Sequence, residues 1–131
     1  MLKPKLYLII AFFKGLILTA GAQVNKNAPA GSTNTGNFSQ SFNTAVFTTK
    51  FVINDKHDIV LVRCEPEDGA LMFYSADKFD NYEAVAKIVG LGQLLKLDTT
   101  LLQIPVLKPG FYAHRSKKGK PWVVERLKSK D

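Results

Sequence analysis

The sequence predicts an α+β domain: an antiparallel sheet of about five strands, with short helices inserted between the third and fourth. Three observations predict it. Three runs rich in β-branched and aromatic residues follow one another at short spacing between Ala45 and Ser75. The next stretch, from Asp80 to Val106, places its apolar residues at helical spacing. A second pair of strand-like runs then surrounds the turn-forming Pro109-Gly110 and the tip Ser116 to Lys120, and it carries the only tryptophan of the 131 residues.

The first strand is read as Ala45–Ile53, the second as Ile59–Cys64 and the third as Ala70–Ser75, joined as a meander. Asn54 to Asp58 and the pair Asp68-Gly69 supply the turns, and Pro66 keeps the second connection from extending either strand. The second and third runs are apolar on both parities, which assigns them central positions with packing on both faces. Asp80 stands as a helix N-cap with Glu83 three residues on, followed by Val85, Ile88 and Val89 at helical spacing. Gly90 and Gly92 end or bend that helix. A second turn holds Leu91, Leu94, Leu95 and Leu97, and Asp98-Thr-Thr opens a third that Pro105 stops. Phe111–Arg115 and Trp122–Leu127 form the closing hairpin, with Gly119 free to take positive φ and Trp122 in the core.

The front of the chain has a different composition. Lys3 and Lys5 precede the apolar run Leu6 to Phe13, and Ala20-Gly-Ala22 fits the small-x-small rule of signal-peptide cleavage, so residues 1–22 read as an export signal. The apolar run, split by Lys14, is too short for a spanning helix of about 20 apolar residues. Residues 23–44, rich in Asn, Thr, Ser and Gly, read as a flexible linker on which Phe38 and Phe42 can dock at the domain edge. The single domain is then 45–131, and the protein is expected in the periplasm or cell envelope, with no stable membrane span after processing.

The net charge of +7 is concentrated at the two ends. Between them the chain is nearly neutral, so a nucleic-acid partner is not expected; Ser116 to Lys120 reads as a solvated hairpin tip. Single Cys64 lies in an apolar run and reads as a small buried hydrophobe. Glu65, Glu67 and Asp68 lack the spacing of a calcium loop, and an acidic hairpin turn accounts for them. His57 and His114 have no partners at zinc-ligand spacing, and pairing Ser75 or Ser116 with His114 as a nucleophile and base is arbitrary. No nucleophile elbow, phosphate loop or dinucleotide fingerprint occurs. No metal, cofactor, small-molecule substrate or catalytic residue is assigned.

The segments Thr49-Lys-Phe-Val-Ile, Val62-Arg-Cys-Glu-Pro-Glu-Asp-Gly-Ala-Leu-Met-Phe-Tyr-Ser-Ala-Asp77, Leu94-Leu-Lys-Leu-Asp-Thr-Thr-Leu-Leu-Gln-Ile104 and the hairpin Pro-Gly-Phe-Tyr-Ala-His-Arg with its later Trp occur in one order. In that order the chain resembles the immunity proteins of bacterial polymorphic toxin systems, of the immunity protein thirty-three type. The resemblance covers about two thirds of the chain. It implies a protein that binds and neutralises a cognate toxin without turnover or cofactor. Rigid aromatic groups beside charge carry most interface energy, and on the sheet as read these are Tyr74, Asp77, Tyr112, His114 and Arg115 on its exposed side. The near-neutral middle does not fit an acidic decoy for a basic nuclease, so an envelope-active toxin is the expected partner. An exported binding module of another role, a binder of nucleic acid or anionic surfaces through the basic C-terminal end, and a hydrolase with a dispersed site are the competing classes.

Overall fold

The computed structural model describes residues 34–128, so the expected signal at 1–22 and the first half of the expected linker lie outside the described residues. The fold is α+β, built on one six-stranded mixed sheet that is antiparallel except at one pair. Its strands are β1 (Ala45–Thr49), β2 (Leu61–Cys64), β3 (Leu71–Tyr74), β4 (Ala86–Gly90), β5 (Phe111–His114) and β6 (Val123–Arg126), in the order β4-β1-β3-β2-β5-β6. Short helices α1 (Lys50–Ile53), α2 (Tyr82–Val85) and α3 (Leu91–Leu97) and a 3-10 turn (Thr99–Gln103) connect them.

β2 and β3 pair antiparallel, as do β5 and β6, so both expected hairpins are present. Gly69, Gly110 and Gly119 all take positive φ at the turns. β3 is buried at every position, which agrees with its expected place inside the sheet.

Three features differ from the sequence reading. The first run is not one strand to Ile53, because the chain turns helical at Lys50. Val46 and Thr48 point into the main core, so a continued strand would aim Lys50 the same way and bury its ammonium. The helical turn leaves Lys50 exposed and still buries Val52. β1 also does not join a meander with β2; it pairs in parallel with β3, Phe47 opposite Met72.

Finally, the expected helix through Val89 stops after Val85. Asn81, not Asp80, caps it, accepting the Glu83 N–H at 3.0 Å. Ala86–Gly90 then forms β4 along the whole of β1, from Ala45 opposite Gly90 to Thr49 opposite Ala86. Ile88-Val89 fits either period over so short a run, and the free edge of β1 decides between them.

The sheet has two unequal faces. On one, Val46, Val62, Cys64, Leu71, Phe73 and Ala113 pack beneath Leu91, Leu94, Leu95, Leu101 and Ile104. Phe38 is buried in this core, and Phe42 lies so close over Gly92 that a Cβ there would come within 2.2 Å of its ring. Both aromatic residues of the expected linker therefore dock, and Phe38 does so inside the core. On the other face Phe47, Met72 and Tyr74 are covered by Tyr82, Val85 and Phe79, and this second cluster reaches only as far as Leu61 at the start of β2.

Candidate functional site

β5 runs between the two environments, and its alternation divides the candidate residues. Arg115, just past the strand, turns to the closed face, and its guanidinium is buried. Its Nε and Nη2 donate to the Ile59 carbonyl at 3.0 and 2.9 Å, Nη1 donates to Thr100 Oγ1 at 2.8 Å, and Nη2 also reaches Asp98 Oδ2 at 2.8 Å. Asp98 accepts the Thr100 N–H as the cap of the 3-10 turn. The indole of Trp122 donates to the Thr100 carbonyl at 3.1 Å, and its ring lies 4.0 Å from the Arg115 guanidinium carbon. Hairpin, 3-10 turn and the start of β2 are thus tied by one buried cation. Trp122 is half-buried at the rim of the core and not fully inside it.

Arg115 was expected on an exposed surface, and that expectation is corrected: its guanidinium is buried and makes four hydrogen bonds inside the fold. Tyr74 requires the same correction. It is 8% exposed, its hydroxyl donates toward Met72 Sδ, and Phe79 and Tyr82 stack around its ring. Burial pushes its phenol pKa up. Tyr74 faces the second core because α2 and Phe79 cover that part of the sheet, which the sequence left open when it continued the helix to Val89.

Tyr112 and His114 turn to the opposite face and stay half-exposed. The register aligns Arg63, Tyr112 and Glu125 in one row and Leu61, His114 and Val123 in the next. The Tyr112 and His114 rings stack at 5.4 Å. His114 Nε2 lies 2.9 Å from Glu125 Oε2, and the Tyr112 hydroxyl donates to Oε1 at 3.4 Å. The His114 hydrogen bond holds the Glu125 carboxyl below its usual value. Arg63 Nε lies 3.0 Å from Glu65 Oε2, and burial raises the Glu65 pKa. Val123 is 47% exposed. This half of the sheet face, across β2, β5 and β6, is open and carries a pre-stacked aromatic pair between apolar and charged neighbours.

Asp77 lies apart, beyond the end of β3. It accepts from Ser75 Oγ at 2.5 Å and from the His57 ring at 2.7 Å. The Ser75 and His57 hydrogen bonds lower its pKa, and Asp77 raises that of His57. His57, not His114, is therefore the histidine beside Ser75 and Asp77, a link that a separation of 20 positions hid from a reading by spacing. His57 and Asp77 line an open cleft with Lys56, Asp58, Val60, Ala76, Ser116 and Lys117.

Among the described residues no three His, Cys, Asp or Glu side chains are grouped to hold a metal ion, and Glu65, Glu67 and Asp68 make no such cluster. Cys64 is buried, as expected, and burial raises its thiol pKa to about 11, far from a reactive thiolate. No helix among the described residues is long and apolar enough to cross a membrane. Comparison of the chain with family models, with curated proteins and with solved structures gave no match.

Proposed function

We propose that this chain is a binding protein without turnover that neutralises a protein toxin in the cell envelope, as the immunity proteins it resembles do. The observation that carries the reading is the open half of the sheet face, where Tyr112 and His114 are stacked and fixed by Glu125 between Leu61, Arg63 and Val123. Groups already held in place lose little side-chain entropy on binding, and aromatic anchors beside charge are the usual centres of interface energy. Of the five partner-contacting residues inferred from sequence, Tyr112 and His114 remain on this surface. Tyr74 and Arg115 serve the fold, and Asp77 belongs to the cleft beyond β3. The envelope setting rests on the export-like front of the sequence.

The test is expression of the toxin candidate encoded beside this gene, directed to the envelope, with and without this chain. Survival only when the chain is present, together with a complex recovered from the same cells, supports neutralisation. Equal killing in both strains with no complex removes it.

A further inference from the structure

We propose that the cleft bounded by Lys56–Asp58, Ala76, Asp77, Ser116 and Lys117 is a binding site for one carboxylate group carried on a peptide side chain. It is separate from the open sheet face, and its argument does not depend on the toxin reading.

The site is held in order by a relay. Ser75 Oγ donates to Asp77, and Asp77 takes the Nδ1 side of His57 at 2.7 Å. The imidazole also stacks on Phe51 at 6.4 Å with the rings 6° apart. This arrangement fixes the ring and leaves Nε2 without a partner among the described residues. Asp77, with Asp55 and Asp58 nearby, favours the protonated imidazole, whose Nε2–H is then a charged donor.

Two lysines complete the cleft. Neither Lys56 nor Lys117 has an ion-pair partner among the described residues, although both line it. Lys56 has φ 59°, and it is the non-glycine residue with positive φ among those described. A long side chain in the left-handed region is strained, and such strain gathers at binding sites. The acids in the cleft are already engaged, Asp77 by Ser75 and His57, and Asp58 by the backbone N–H of Lys118 at 3.1 Å.

The donors select the ligand. Lys56, Lys117 and the Nε2 edge of His57 line the cleft, while the carboxylates of Asp58 and Asp77 that share it are already engaged. A monoanionic carboxylate offers acceptors to these donors without the second negative charge that a phosphate dianion would bring close to Asp55, Asp58 and Asp77. The cleft, about 480 Å³ and open to solvent, is much larger than a carboxylate needs, so the group arrives on something bulkier. An Asp or Glu side chain in a peptide has the matching charge and the needed bulk.

The experiment follows the His57 ring signals of the full chain by NMR at about pH 6, near the ordinary histidine pKa. The probes are a capped Ala-Glu-Ala tripeptide, its Gln counterpart, sodium acetate, and sodium chloride at matched ionic strength. The Glu peptide is expected to shift the ring signals and raise the His57 pKa, acetate to do so more weakly, and the other two to leave them in place. Lys117→Gln, on the exposed tip, should weaken the Glu peptide about three- to tenfold, the range of a charged contact near a surface. Unchanged Trp122 fluorescence confirms that the variant is folded. An equal shift with the Gln peptide or chloride overturns the proposal, as does unaltered affinity in folded Lys117→Gln. Acetate binding as tightly as the Glu peptide overturns the assignment to a peptide-borne group.

Discussion

His114 and Arg115 are consecutive residues that serve opposite faces of the same hairpin. Arg115 is spent on the fold: all three guanidinium nitrogens donate, the side chain is buried, and its partners come from β2's approach, the 3-10 turn and Trp122. His114 is 40% exposed at its side chain, shares one carboxylate with Tyr112, and lies where no second core covers the sheet. On the proposed function, the difference is how a domain of this size separates stability from recognition. Alternation along a strand sends one residue to the closed face and the next to the open one, so the two functions can be altered independently.

The sharpest test of the closed side is removal of the buried cation. Arg115→Met leaves Asp98, only 5% exposed at its side chain, with Lys118 at 4.0 Å as its remaining charged neighbour. Loss of one member of a buried pair costs about 3–5 kcal/mol, and urea unfolding should show a loss of that size. A change near zero would break the comparison.

Trp122→Ala removes the ring beneath the same guanidinium and the indole bond to Thr100. Full burial of such a ring would make the cost about 3–5 kcal/mol; because Trp122 is half-exposed, about 2–3 kcal/mol is expected in the same assay. A native Trp122 fluorescing as a fully exposed indole would contradict the latch.

Gly92→Ala sharpens the comparison from a third direction, since the new methyl meets the Phe42 ring. The ring must move, at a cost of about 1–3 kcal/mol. Limited proteolysis should then cut residues 34–44 faster than in the parent chain.

The smallest effects belong to the exposed pairs, and their signs are opposite for the two partners. His57 has a raised folded pKa, so its contribution is full below its unfolded value and fades as pH rises through the folded one. Asp77 and Glu125 have lowered folded pKa values, so theirs are present above the unfolded value and fade as pH falls through the folded one. Asp77→Asn should therefore lower the His57 pKa in an NMR titration.

The sequence carried the α+β class, both hairpins, the buried Cys64 and the docking of Phe38 and Phe42, because turn residues and alternation act locally. It missed β4 because five residues, Ala86 to Gly90, satisfy helical and strand periods equally, and only the long-range pairing with β1 settles them. The same omission hid the cover over Tyr74. Arg115 was misplaced for a related reason: its partners Ile59, Asp98 and Thr100 lie fifteen or more residues away, and a cation in sequence shows nothing of the acceptors that will enclose it. Tyr112 and His114 were legible because alternation within a hairpin needs no distant information. The His57–Asp77 contact carried no local signal at all.

The most direct test of this division pairs one affinity with one melting curve. The Tyr112→Ala/His114→Ala double variant and the parent are compared for binding to the toxin candidate encoded beside the gene and for Tm. Tyr112 and His114 are partly exposed and lie outside both cores, so Tm is expected to stay within a few degrees, while affinity falls at least about thirtyfold, the loss of one strong interface centre. Unchanged affinity, or a loss of affinity accompanied by unfolding, would contradict the assignment of recognition to the open face.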